Sequence, residues 1–255
     1  MTTTAPQTVL VTGAGRRLGR AIALGFARDG WDVAVHYRAS ADDAREVADA
    51  IAALGRRVCL LQADLSDEDD ARALVPRAVA ALGGLQCVVN NASLFEYDDA
   101  ASFSGTLLQR HMQANLTGPL LLAQALHAAT PEGSQGVVIN LLDQKLYNLN
   151  PDFLSYTLSK AALNTATTVL AQALAPRLRV VGVAPGLTLV SGDQSAAGFA
   201  KAHTATPLGR SSTPEDIVDA VLYAARARAL TGTTLLVDGG QHLVPLARDV
   251  MFLAK

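Results

Sequence analysis

Short apolar runs alternate along the chain with longer segments in which Ala, Leu and Val recur at helical spacing. The runs Thr8–Thr12, Asp32–Tyr37, Arg57–Gln62, Leu85–Asn90, Gly136–Leu142, Arg179–Ala184 and Thr233–Val237 predict seven strands. Several are apolar at every position, the pattern of parallel strands covered on both faces. The segments between them are long enough for crossover helices. Start and stop signals agree: Asp67 or Ser66 precedes a helix over Glu68–Leu82, Thr213-Pro214 precedes one over Glu215–Ala227, and Gly30 and Gly55 close the first two.

This alternation predicts one α/β domain over residues 1–255, a doubly wound Rossmann-type parallel sheet with helices on both faces. No repeat or low-complexity linker divides it. Composition narrows the function. Half of the 255 residues are hydrophobic, 17% are charged and the formal net charge is −2, without a basic cluster, which argues against nucleic-acid binding. No apolar run reaches the ~20 residues a membrane span needs, and the amino terminus lacks the features of a signal peptide, so a soluble cytoplasmic protein is expected. Cys59 and Cys87 fall in runs that read as neighbouring buried strands, and core packing explains them better than a metal or a disulfide. No metal site is expected.

In sheets of this kind, ligands bind at the carboxyl ends of the strands. The first strand runs into Thr12-Gly13-Ala14-Gly15-Arg16-Arg17-Leu18-Gly19, a glycine-rich turn leading straight into a helix. Such a turn brings backbone N–H groups and the positive end of a helix dipole up to a pyrophosphate. The second strand ends in His36-Tyr37-Arg38-Ala39-Ser40. An acidic residue there suits the ribose hydroxyls of NAD, whereas a 2′-phosphate needs positive charge and hydroxyl donors. None of the five is acidic, so Arg38 and Ser40 point to NADP(H). Asp64-Leu65 ends the third strand and can accept from an adenine amino group. Asn90-Asn91-Ala92-Ser93 places small polar groups over the sheet centre, and Pro185-Gly186 ends the sixth strand.

After the fifth strand and a polar turn, apolar residues recur at helical spacing from about Phe153. Tyr156 and Lys160 then lie four apart on one helix face. An ammonium beside a phenol lowers the phenol pKa towards the range where it exchanges protons near neutrality. Asn115 sits among apolar residues of the preceding helix, where a satisfied core amide is an equal reading. The segment 187–207 is rich in Gly, Ser, Thr and Ala, which suits a mobile substrate lid or a plain surface loop.

Taken together and in order, the glycine turn, Asp64, Asn-Asn-Ala, Asn115, Tyr156-x-x-x-Lys160, Pro185-Gly186 and Asp238-Gly239-Gly240 resemble the short-chain dehydrogenase/reductase family across essentially the whole chain. The resemblance implies Tyr156 as proton donor, Lys160 as the group that holds the nicotinamide ribose and lowers the tyrosine pKa, and Asn115 as the anchor of a water in a proton relay. It also implies a homotetramer built from the helix of Tyr156, the helix before it and the last strand. The apolar faces at Leu120–Leu126 and Ala161–Leu174 fit that assembly or an ordinary core.

Two departures from the common pattern stand out. Asp143 occupies the position thirteen residues before the tyrosine where most members carry serine, and Arg17 replaces the middle glycine of the first turn. With Ser93-Leu94-Phe95 and His36-Tyr37-Arg38, these are similar to the pteridine reductase branch, including the bacterial dihydromonapterin reductases. That branch implies Asp143 working with Tyr156, Arg17 beside the cofactor phosphates and the pterin, and Phe95 sandwiching the pterin, with Ser93 at the same site. An ionised carboxylate would repel the alkoxide that develops in ketone reduction. A pterin instead offers a C=N bond and an edge rich in N–H donors. The expected activity is therefore NADPH-dependent reduction of a pterin-like small molecule. A reductase of another carbonyl or imine is the alternative, and a module that senses NADP(H) without turnover would have no use for a proton relay. The tail Val244–Lys255, apolar at Leu246, Val250, Met251 and Phe252, either covers a neighbour's site or packs on its own subunit.

Overall fold

The structure is a computed structural model and describes residues 7–190 and 195–252. Its strands are β1 (Thr8–Val11), β2 (Asp32–Tyr37), β3 (Val58–Gln62), β4 (Cys87–Asn90), β5 (Gly136–Leu141), β6 (Leu178–Pro185) and β7 (Thr234–Val237). All pair in parallel in the order β3-β2-β1-β4-β5-β6-β7. The seven expected strands are all present, with ends moved by a residue or two. The chain reverses its winding between β1 and β4, so the crevice above their carboxyl ends is the place for a ligand.

Helices α1 (Arg17–Arg28), α2 (Ala41–Ala53) and α8 (Pro214–Arg226) cover one face, while α3 (Glu68–Leu82), α4 (Gly105–Met112), α5 (Gly118–Ala129) and α6 (Leu154–Ala173) lie on the other side; α7 (Ala196–Thr204) follows β6. Strand side chains alternate between two cores. Val9 and Val11 pack with Ile22, Phe26, Val47 and Ile217, whereas Leu10 packs with Leu74, Val75, Leu122 and Leu126. Each such side chain contributes about 1.5–3 kcal/mol when fully buried, and it is this two-sided burial that makes the strands apolar throughout.

The capping signals are realised. Asp67 accepts the N–H of Asp70 at 3.0 Å, Thr213 and Asp216 form a reciprocal capping box, and Gly30 and Gly55 take positive φ after α1 and α2. Cys59 and Cys87 are free, and burial pushes both thiols up. The strands that carry them are not neighbours, however, because β2 and β1 lie between β3 and β4. Leu121, Leu122, Leu126, Leu163 and Ala171 belong to the subunit's own core, which leaves Leu158 and Val169 as exposed apolar residues of α6.

Candidate active site

Above β1 and β2 lies a cleft of about 670 Å³ lined by the first turn (Gly13, Arg16, Arg17, Leu18, Gly19) and by the β2 end (His36, Tyr37, Arg38, Ser40). Asp64 and Leu65 from the β3 end, and Asn91, Ala92 and Ser93 from the β4 end, complete its wall. Glycine is required here for two separate reasons. Gly13 has φ +62°, and a Cβ on Gly19 would lie 2.1 Å from the Gly13 carbonyl oxygen. Asn91 clamps the turn by donating to the Thr12 carbonyl at 2.8 Å.

His36 serves the same turn. Its Nδ1 accepts the Gly13 N–H at 3.0 Å while Nε2 lies 3.1 Å from the Ala63 carbonyl oxygen, which fixes Nε2 as the protonated nitrogen. Burial depresses its pKa to about 4, so the ring is neutral and offers no charge to a phosphate. Charge comes instead from Arg38, exposed at the rim, and from Arg16, which pairs with Asp43. Ser40 stands at the N-cap position of α2 without capping it, and its Oγ points towards Gly15. Arg17 holds φ +52°, a conformation favouring glycine, and its side chain reaches the wall shared with the next cavity.

That second cavity, about 220 Å³, is lined by Arg17, Phe95, Asp143, Tyr156, Pro185 and Gly186, among others. The Tyr156 hydroxyl donates to Asp143 Oδ2 at 2.9 Å. Phe95 stacks on Phe153 at 4.4 Å and meets Tyr156 edge-on at 4.7 Å, yet stays 43% exposed, so one part of the ring remains open. Lys160 donates to the Leu141 carbonyl at 2.7 Å, with its ammonium 5.8 Å from the Tyr156 ring centroid.

The electrostatics differ from the sequence expectation. Burial pushes the Tyr156 phenol well above its ordinary pKa, and the neighbouring Asp143 carboxyl reinforces the shift; Lys160 does not bring it down to neutrality. Burial also raises Asp143 and lowers Lys160 to about 8. Desolvation dominates because all three groups are shielded from water.

Asn115 lies on a π-helical turn, Gln113–Thr117, between α4 and α5. Its side-chain amide donates to the Leu94 carbonyl and to Ser159 Oγ, both at 2.9 Å, and its oxygen accepts from Leu94 N–H and Ser93 Oγ. All four side-chain hydrogen-bonding positions are taken, so the amide fixes the Ser93–Leu94 turn.

Two further groups shape the site, and the first gives no local sign in the sequence. Asp98, buried in the loop after β4, accepts Ser155 N–H at 2.9 Å and the Ser155 hydroxyl, and so caps α6 where Phe153 cannot. The second is the tail, which through Phe252 packs on its own subunit: Asp249, Val250 and Met251 line the cavity, and Phe252 stacks near Phe153, while residues 253–255 lie outside the described residues. The expected lid is partly helical as α7, with Leu187, Thr188 and Leu189 on the cavity wall; residues 191–194 lie outside the described residues. Among the described residues no cluster of His, Cys, Asp and Glu could hold a metal.

Residues 13–242 match the family described as enoyl-(acyl carrier protein) reductase, a branch of the short-chain reductases. The chain belongs to the short-chain dehydrogenase/reductase family. A FolM alternative dihydrofolate reductase 1 from Brucella suis, crystallised with NADP, superposes with a TM-score of 0.91 at 42% identity, covering 96% of this chain and 98% of that one. The Brucella canis counterpart, also complexed with NADP, gives 0.88 at 41% identity over 94% of this chain and 96% of that chain. A 3beta-hydroxysteroid dehydrogenase 1 of Eggerthella lenta is 35% identical over 94% of this chain and 95% of its own.

Proposed function

We propose that this family member is an NADPH-dependent reductase of the C=N bond of a pterin-like substrate. The observation that carries the reading is the Tyr156–Asp143 hydrogen bond in a cavity beside the dinucleotide cleft. A serine at that place would offer a neutral donor to a ketone oxygen; a buried carboxyl offers an acceptor to ring N–H groups and a store for a proton. The FolM neighbours with bound NADP support both the cofactor and the substrate class.

The cleft fits the cofactor. Arg38 and Ser40 would take the 2′-phosphate, the first-turn N–H groups and Arg17 the pyrophosphate, and Asp64 the adenine, with Oδ1 already engaged by Ser66. Lys160, beneath Tyr156, would hold the nicotinamide ribose, as the family resemblance implies. When bound, NADPH supplies the hydride that reduces the ring carbon. The ring nitrogen takes a proton from the Tyr156 hydroxyl, and Asp143, when protonated, becomes the donor across the same 2.9 Å contact and returns a proton to the phenolic oxygen, so that C=N becomes CH–NH without a net phenolate. Phe95 provides a flat apolar face for the ring. Ser93, held by Asn115, borders the cofactor cleft beside it.

The steroid dehydrogenase relative favours a second reading, reduction of a carbonyl. Steady-state NADPH oxidation with dihydropterins, folates and simple ketones separates the two: turnover of ketones alone overturns the pterin reading. We further propose a cytoplasmic homotetramer, supported by the exposed Leu158 and Val169 of α6 and Leu236 of β7.

A further inference from the structure

The polar turn after β5 and the carboxyl-terminal tail are tied together by a buried cation. Lys145, 3% exposed, donates to the Asp152 carbonyl at 2.5 Å and lies 3.0 Å from Asp249 Oδ2. Its own backbone N–H is held by Asp143 Oδ1 at 2.8 Å, so the site aspartate caps the turn that grips the tail. Asp152 completes the clip from outside, accepting Arg248 Nε at 2.8 Å and the Asp249 N–H at 2.7 Å.

The clip places the Asp249 carboxylate on the wall of the cavity that holds Asp143, Tyr156 and Phe95. Oδ2 is engaged by Lys145 and Oδ1 by the Met251 N–H at 3.1 Å, so each oxygen keeps acceptor capacity. Asp249 is the counterion of the buried Lys145, and this pairing across 104 residues carries its carboxylate to the cavity wall.

We propose that Asp249 is a specificity-determining residue: pinned by Lys145 and Asp152, it accepts N–H donors of the bound heterocycle on a second edge from the one that Asp143 serves. The inference rests on the pterin-like reading above and adds a second carboxylate contact to it. Asp249 also acts on the proton of Asp143. The groups around that carboxyl are Tyr156 and Lys160 from α6, Lys145 from the turn, Arg17 from the first loop and Asp249 from the tail. Burial is the main force that raises the Asp143 pKa, and the negative charge of Asp249 adds to it.

The test compares the full-length parent with Asp249→Asn, Asp249→Ser and Arg248→Ala, using dihydrobiopterin as the probe. Asp249→Asn is expected to raise the dihydrobiopterin KM about ten- to a hundredfold, the scale of one hydrogen bond to a charged group, with the NADPH KM changed by less than about twofold. The alkaline limb of kcat should move to lower pH. Asp249→Ser keeps an acceptor for Met251 and should show the same pattern, which covers the case in which the asparagine variant does not fold. Arg248→Ala leaves the buried Asp152 carboxylate without its ion pair but spares the Asp249 carboxylate and Lys145, so it loosens the clip and should raise the dihydrobiopterin KM by less than the Asp249 variants do. An unchanged KM and pH limb in both Asp249 variants, or an equal change in Arg248→Ala, overturns the inference. A parent that reduces no dihydropterin overturns the functional reading itself, a distinct result.

Discussion

The Tyr156 hydroxyl and Asp143 Oδ2 lie 2.9 Å apart, and both groups are held above their ordinary pKa, first of all by burial. The pair therefore keeps an extra proton to higher pH than a solvated aspartate would. Turnover that draws on that proton is present at low pH and falls as pH rises through the raised Asp143 value. Lys160, lowered to about 8, loses its charge in the same direction and adds a second step to the fall. The expected kcat profile, with saturating NADPH and dihydropterin, declines on the alkaline side in two ionisations. A profile flat from mildly acidic to mildly alkaline pH would contradict a stored proton at Asp143.

Arg38 is exposed at the cleft rim with Ser40 two residues on, and no acidic residue stands between them. Arg38→Asp should weaken NADPH by about 1–3 kcal/mol, the scale of a charge-assisted contact, and spare NADH. Dissociation constants for the two cofactors give the answer, and equal loss for both would remove the assignment.

Asp98 and Ser155 are 57 positions apart, yet the first turn of α6 depends on their contact. Asp98→Ala leaves a buried N–H and a buried hydroxyl without their acceptor, at a cost of about 1–3 kcal/mol in urea unfolding. Tyr156 is the next residue in the chain, so kcat should fall more than the NADPH KM rises. A variant with parental stability and kcat would show that Asp98 does not position the helix.

Much of the fold was legible because it is written locally. Buried parallel strands read as unbroken apolar runs, and Asp67, Thr213, Gly30 and Gly55 announce helix ends through their own backbone chemistry. The first turn and the Tyr156–Lys160 spacing were legible for the same reason. What escaped reading depends on partners far along the chain: Asp98 with Ser155, and Lys145 with Asp249. Composition carries no trace of such pairs. The direction of the Tyr156 shift also escaped, because spacing gives a neighbouring charge but not the depth of burial, and here burial prevails. Cys59 and Cys87 sit on strands consecutive in the chain but separated in the sheet, since chain order does not give the point where the winding reverses.

Tyr156→Phe removes the hydroxyl that any reductase of this family would need, so a loss of roughly 10²–10⁴ in kcat tests the acid and not the substrate. Asp143 separates the readings. In the pterin reading its buried carboxyl accepts from the ring edge and returns a proton to Tyr156; serine can do neither, so Asp143→Ser should cost dihydropterin turnover while NADPH binding stays intact. In the carbonyl reading the carboxyl, once ionised, repels a developing alkoxide, whereas serine is a neutral donor at every pH, so the same change should raise ketone reduction, most on the alkaline side where Asp143 has lost its proton. The substitution also frees Lys145 N–H from the Asp143 acceptor at 2.8 Å, a contact that a serine hydroxyl is able to replace at the start of a turn. Thermal unfolding of the variant checks that the turn is kept. With the fold intact, parental dihydropterin turnover in Asp143→Ser would defeat the pterin assignment and leave membership of the family standing.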